Sequence, residues 1–277
     1  MRVQPFSYIK EEVAVGPELW TPAQITTYTW IDPSDSSTVT LASGVIEQID
    51  DQSGNGHHLL QNADTSRRAY YSSGINGLNC IDLRGSEVMY LDDNNGDNTT
   101  AMYFVAETTA SSATNQAIVR RGFGSESLGY TYRFNGTTGD LSGFFRIGST
   151  NRGLGNLSSP PTPAIYEVQL TESGGNTTIE AYHTANSWSG PSTYSGVLAN
   201  QTDDVKPVIG GAYTSDDWGG TGFSDFFRGF IGEIIYITGA TVTSTNQDLI
   251  QGYLAWKWGL EGDLPVGHPY KNAAPTI

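Results

Sequence analysis

The chain of 277 residues sets 14 basic side chains against 29 acidic ones, a formal net charge of -15, and charged residues make up only 16% of it. That field repels phosphate backbones and anionic lipid, so nucleic acid and membrane surfaces are excluded as partners, while neutral glycans and protein surfaces stay open. A single cysteine, Cys80, excludes an intrachain disulfide framework. With 33 Gly, 15 Tyr and abundant Thr, Ser and Asn, the composition is poor in helix formers and rich in strand and turn residues, which predicts an all-β domain.

Residues 1–19 read as an N-terminal arm without a clear period. Phe6, Tyr8 and Ile9 are apolar beside charged Lys10, Glu11 and Glu12, and Pro5 and Pro17 prevent a continuous helix. The arm has no apolar core of a leader peptide and fits docking on a neighbouring protein by strand addition. The alternative is a strand paired with the chain's own sandwich. From Trp20 to the end, residues 20–277 read as one domain.

Short strands and turns then alternate. "GVIEQIDDQ" (44–52), "NCIDLRG" (79–85), "YTYRFN" (130–135) and "IYEVQL" (165–170) alternate apolar and polar residues. "AMYFVAE" (101–107) is apolar on both faces, as a central strand covered on both sides would be. "FFRGFIGEIIYITG" (226–239) is the longest apolar strand region. Asn76-Gly77, Asn135-Gly136, Gly174-Gly175 and Pro160-Pro161 supply turns. Strands recurring this often predict a two-sheet antiparallel sandwich. One α-helix is predicted over 245–258. Ser244 and Gln247 make a capping-box pattern, Leu249, Ile250, Tyr253, Leu254 and Trp256 recur at helical spacing, and Gly259 stops the run; the helix is expected to cover one edge or face of the sandwich through Leu249, Tyr253 and Trp256.

Three clusters could carry chemistry. In "DQSGNGHHLLQ" (51–61), Asp51, Ser53, Asn55 and Gly56 have the spacing of a Ca²⁺ loop, but the twelfth position is Asn62 and lacks the bidentate Glu. A tight turn, with Gly54 and Gly56 at positive φ, is the expected structure. His57 and His58 are neighbours that point to opposite faces of a strand, so they do not form a zinc site. In "LDDNNGDN" (91–98), Asp92, Asp93 and Asp97 either bind Ca²⁺ or form a solvated acidic loop. In "AYTSDDWGGTGFSDFFRG" (212–229), Tyr213, Asp216, Asp217, Trp218 and Phe223 offer aromatic faces and carboxylate acceptors to a sugar, or else a subunit contact. Catalytic patterns are missing. The one Glu-x-Asp is Glu261-Gly262-Asp263, with no following Glu to place a second carboxyl about 5 Å away, as retaining glycosidases require. A non-enzymatic protein is expected.

Several stretches resemble the concanavalin A-like lectin/glucanase superfamily in its laminin-G-like branch. They are "YTWIDPSDSSTVT" (28–40), "VIEQIDDQSGNGHHLLQ" (45–61), "RRAYYSSGINGLNCIDLRG" (67–85) and "FRGFIGEIIYITGATVTSTNQDLIQGYLAWKWGL" (227–260). Ala69 stands where the family has Pro, and "IDLRG" replaces its Phe-Asp-Gly. The tail "LPVGHPYKNAAPT" (264–276) is similar to domains of phage structural proteins. The resemblance implies a jelly-roll sandwich in a virion structural protein: a capsid decoration, fibre or tail component, assembled in the host cytoplasm. It would be a homo-oligomer among other virion proteins and would bind host-surface glycans. A soluble lectin, or a glycan hydrolase with unrecognised catalytic residues, is the alternative.

Overall fold

Alternation builds the strands. In Tyr130–Phe134 the rings of Tyr130, Tyr132 and Phe134 are buried, while Thr131 and Arg133 are half-buried. Within Thr99–Thr108, residues 101–106 are buried on both faces. The computed structural model describes residues 18–61, 64–92, 99–109, 114–121, 130–136, 138–147, 150–154, 157, 163–184, 187–197, 206–213, 222–238 and 242–277.

Two antiparallel sheets result. In the first, the helix-side sheet, neighbours run Tyr70–Ser73, Asn79–Arg84, Arg228–Thr238, Thr99–Thr108, Ala164–Ser173, Asn176–His183, Ser187–Ser195. Thr29–Ile31 shares one edge of Arg228–Thr238 with Asn79–Arg84, pairing residues 234–236 where Asn79–Arg84 pairs 228–231. In the second, neighbours run Leu59–Gln61, Met89–Leu91, Val208–Ile209, Gln116–Arg121, Tyr130–Phe134, Leu141–Ile147, Thr150–Gly153. Val45–Ile49 bridges the two, pairing with Leu59–Gln61 and, through Val45, with Tyr70. The outcome is the all-β, two-sheet jelly-roll sandwich that the pattern predicts, with one α-helix among the described residues. No described helix is long and apolar enough to cross a membrane.

The inner faces interlock through aromatic side chains. Phe104 meets Tyr132 edge-on at 5.2 Å between centroids, and Phe134 meets Tyr166 at 5.7 Å. Met102, Ile118, Phe145, Leu170 and Phe227 fill the same core. The outer face of the helix-side sheet carries a second core, where Tyr103, Val105, Ile165 and Ile235 lie under Ile250, Leu254, Ala255 and Trp258.

The helix spans Ser244–Lys257. Its N-cap is Thr243, whose hydroxyl accepts from the Asn246 N–H at 3.2 Å. The cap is therefore one residue before the expected Ser244, and the Gln247 side chain, expected in a capping box, donates to Glu167 at 2.8 Å. The expected packing of Trp256 is also corrected. Trp256 is 37% exposed and donates only to the Tyr270 carbonyl, whereas Trp258, just past the last turn, is fully buried. Ile250, Leu254 and Trp258 are buried against the sheet, and Leu249 and Tyr253 pack beside them half-buried, so of the expected face only Trp256 turns outward. Gly259 at φ 66° ends the element in the left-handed region.

Residues 18–20 are tied to the C-terminal tail. The Ile277 N–H donates to the Glu18 carbonyl, the Trp20 N–H donates to Pro275, and Trp20 is buried in the second core. Phe6, Tyr8 and Ile9 of the expected docking arm lie outside the described residues.

Candidate functional site

The turn at Asp51 to His58 is an internal brace. Both carboxylate oxygens of Asp51 are taken by protein donors: the N–H groups of Trp30, Ser53 and His57 and the Ser53 hydroxyl, at 2.7–3.1 Å. The Asn55 amide donates to the carbonyls of Thr27 and Tyr28. Gly54 and Gly56 sit at φ 86° and 79°, as the turn reading requires. The His57 ring packs on Tyr28, and His58 Nδ1 accepts from the Asp51 N–H. The two histidines thus serve different partners. The loop locks the first strand, Thr29–Ile31, to the second sheet.

Asp92 pairs with the Lys206 ammonium at 2.5 Å, and Lys206 lies 5.2 Å from the centre of the Tyr90 ring. Asp93 and Asp97, the other members of the expected Ca²⁺ loop, lie outside the described residues. Among the described residues, no three His, Cys, Asp or Glu side chains gather to hold a metal ion.

Of the expected sugar loop, Tyr213 and Phe223 form the base. They pair across a short two-strand ladder, Ala212–Tyr213 with Phe223–Ser224, and their rings touch at 5.2 Å. Tyr213 is 2% and Phe223 8% exposed, packed with Val88 and Val208. The expectation that these two rings stack on a sugar is corrected, since neither offers a free face. Burial also pushes the Tyr213 hydroxyl far above the usual tyrosine range. Asp216, Asp217 and Trp218 lie outside the described residues.

The second sheet turns a different set outward. Register aligns Tyr90, Val208, Arg120, Thr131, Phe144 and Gly153 in one row across six strands. Phe144 is 40% exposed, and Arg133 stands over its ring at 5.0 Å. Arg133 also reaches Asp225 at 3.7 Å, and Arg146 reaches Asn151 beside the row. Burial lowers Arg120 from its usual value. The hydrophobic contacts of Tyr213 and Phe223 pin the base of the 213–223 segment to the Val208 end of this row. The face combines an exposed ring with guanidinium, hydroxyl and amide groups. Sequence reading misses it because its members come from six strands. The available signal is the outward half of each alternating strand, Thr131 and Arg133 in one and Phe144 and Arg146 in the next.

Two glutamates that are fully buried among the described residues stand away from this face, beneath the helix. Glu233 accepts from Trp30 Nε1 at 2.5 Å, Tyr253 Oη at 2.8 Å and Trp258 Nε1 at 3.1 Å. It also pairs with Lys257 at 2.8 Å, which in turn reaches Asp32 at 2.5 Å. Burial pushes Glu233 up against the pull of Lys257. Burial alone would depress Lys257, yet the Glu233 and Asp32 carboxylates hold it above the usual lysine range. Glu167 accepts from the amides of Gln169, Gln247 and Gln251 at 2.5–2.8 Å. Burial still pushes it up to about 7 from 4.5.

The folded state therefore holds a proton on Glu167 between about pH 4.5 and about 7 that the unfolded chain has released. Since stability falls with pH wherever the native state binds more protons, this group lowers stability progressively as pH rises through that window. Glu167→Gln removes the effect. The variant should gain on the order of 3 kcal/mol relative to the parent between pH 4.5 and pH 8. Paired melting curves across that range check it, and parallel pH profiles would refute it.

No protein-family model matches the chain, and no curated protein sequence matches it. Solved structures do. A carbohydrate-binding domain, CBM40, of the Ruminococcus gnavus IT-sialidase aligns at TM-score 0.40 and 11% identity, covering 53% of this chain and 80% of that one. A heptameric SAP-like pentraxin from Limulus polyphemus aligns at TM-score 0.41 and 12% identity, covering 62% and 81%. A GH54 α-L-arabinofuranosidase aligns at TM-score 0.48 and 15% identity, covering 87% of this chain and 60% of that one. At such scores these likenesses assign neither a ligand nor an activity to this chain.

Proposed function

We propose that this protein is a non-enzymatic, lectin-like β-sandwich that binds glycan on the outer face of its second sheet. The observation that carries the reading is the Phe144 row. An exposed ring with Arg133 against it, and Thr131, Arg120, Arg146 and Asn151 around it, supplies an apolar platform for sugar C–H groups and donors and acceptors for hydroxyls. The non-enzymatic part is supported by Glu167 and Glu233, whose carboxylates are spent on internal donors under the helix. Placement on a phage particle, as a decoration, fibre or tail component, rests on the sequence resemblance of the C-terminal segment.

A glycan array on the whole chain tests the reading, with Phe144→Ala as the control. Stacking contributions of about 0.5–1.5 kcal/mol predict a loss of about two- to twelvefold in affinity, with unchanged melting. An array without binders, or full binding by the variant, would overturn it. A change of elution volume on size exclusion in place of lost binding would turn the face into a subunit contact.

A further inference from the structure

The opposite side of the sandwich holds a second arrangement. On the outer face of the helix-side sheet, register sets Arg84 directly across from Arg228 and Asp82 across from Phe230. Like charges directly opposed across strands destabilise a sheet. In a chain with 14 basic and 29 acidic residues, such a pair requires a reason. Arg84 is held in place. Its Nη2 and Nε donate to Asp82 Oδ2 at 2.9 and 3.2 Å, and its guanidinium lies 3.6 Å from the centre of the Tyr70 ring. Arg228 is exposed and has no carboxylate in reach among the described residues. Its backbone is nevertheless fixed, the N–H donating to Gln116 Oε1 at 2.9 Å and the carbonyl accepting from the Thr109 N–H at 3.1 Å. Its guanidinium lies flush on Gly85, where an added Cβ would come within 2.8 Å of Nη2. A cleft of about 250 Å³ opens between Asp82, Arg84, Thr109, Arg228 and Phe230.

The geometry points to a carboxylate-binding site in this cleft, shaped for an acidic sugar of the uronic acid class. The open fork of Arg228 matches a carboxylate bidentately. Asp82 Oδ2 is taken by Arg84 and by the Ser72 hydroxyl at 3.1 Å, which leaves Oδ1 to accept a hydroxyl of the sugar ring, while Thr109 adds a hydroxyl and Phe230 forms the apolar wall. Asp82 and the net charge of -15 disfavour a bare phosphate or sulfate, which brings more charge and no hydroxyl for Asp82 to bind. The site is separate from the Phe144 face and does not depend on it.

Amide NMR titration of the full chain with sodium D-glucuronate tests the assignment, with D-glucose, sodium acetate and sodium sulfate as parallel arms. Glucuronate should move the amides of Gly85, Thr109 and Gly229 to saturation, and the other three should move them weakly or not at all. Arg228→Gln should weaken glucuronate by about tenfold or more, the scale of a lost charged hydrogen bond. Arg228→Lys should weaken it less, and Phe144→Ala should leave it unchanged. Arg228→Gln should also melt no lower than the parent, because it relieves the opposed charges; a purely structural arginine would lower it. Absence of saturable shifts with glucuronate, or equal affinity in Arg228→Gln, would overturn the site. Acetate or sulfate binding as tightly as glucuronate would overturn its assignment to a sugar.

Discussion

Trp258→Ala should destabilise the domain by about 3–5 kcal/mol, the scale of a buried aromatic truncated to a methyl. The indole is fully buried and lies against the backbone of Gly232, where an added Cβ would approach its ring to 2.8 Å. Its Nε1 also donates to buried Glu233. Removing it opens a cavity between helix and sheet and withdraws one donor from a carboxylate already short of solvent. Trp256→Ala, two residues earlier, should cost little more than its single bond to the Tyr270 carbonyl, about 1 kcal/mol. Denaturant titration of both variants checks the contrast. Equal losses would mean that the helix face is assigned wrongly.

Lys257→Met should be nearly as damaging, by about 3–5 kcal/mol, because it strips the counter-charge from buried Glu233 and from Asp32. The loss should depend on pH in a defined direction. Without Lys257, Glu233 rises further above its unfolded value, so the native state keeps a proton that the unfolded chain releases above about pH 4.5. The penalty should therefore grow as pH rises and shrink toward acid. Adding Glu233→Gln to Lys257→Met should restore part of the stability at neutral pH, since the amide keeps an acceptor for Trp30, Tyr253 or Trp258 without a charge. A pH-independent loss, or no recovery in the double variant, would mean that the lysine acts through packing alone.

Much of the fold is legible from local pattern. Alternation in Tyr130–Phe134 and double-sided burial in residues 101–106 follow from side-chain period, because a strand shows its two faces to the chain itself. The turn at Asp51–His58 is equally readable. Gly54 and Gly56 permit its backbone, and Asp51, Ser53 and Asn55 are the residue types that bind turn N–H groups and carbonyls. The sequence also places the helix near the end.

What the tertiary structure decided is which of two tryptophans faces inward and which residues meet across strands. At the end of the helix, Trp256 and Trp258 lie about 200° apart around the axis, and both are apolar. Only the surface beneath, with Gly232 cleared for an indole and Glu233 waiting for its N–H, selects Trp258. Tyr213 and Phe223 read as exposed loop aromatics, but they pack on each other and on Val208, from the neighbouring strand, and Val88, more than 120 residues earlier. The Phe144 row and the Arg84–Arg228 pair are set by ladder register between segments as much as 144 residues apart, from Arg84 to Arg228. Register depends on the turns and on burial of the opposite face, so residues that stand alone in the sequence become a surface only when the sheets close.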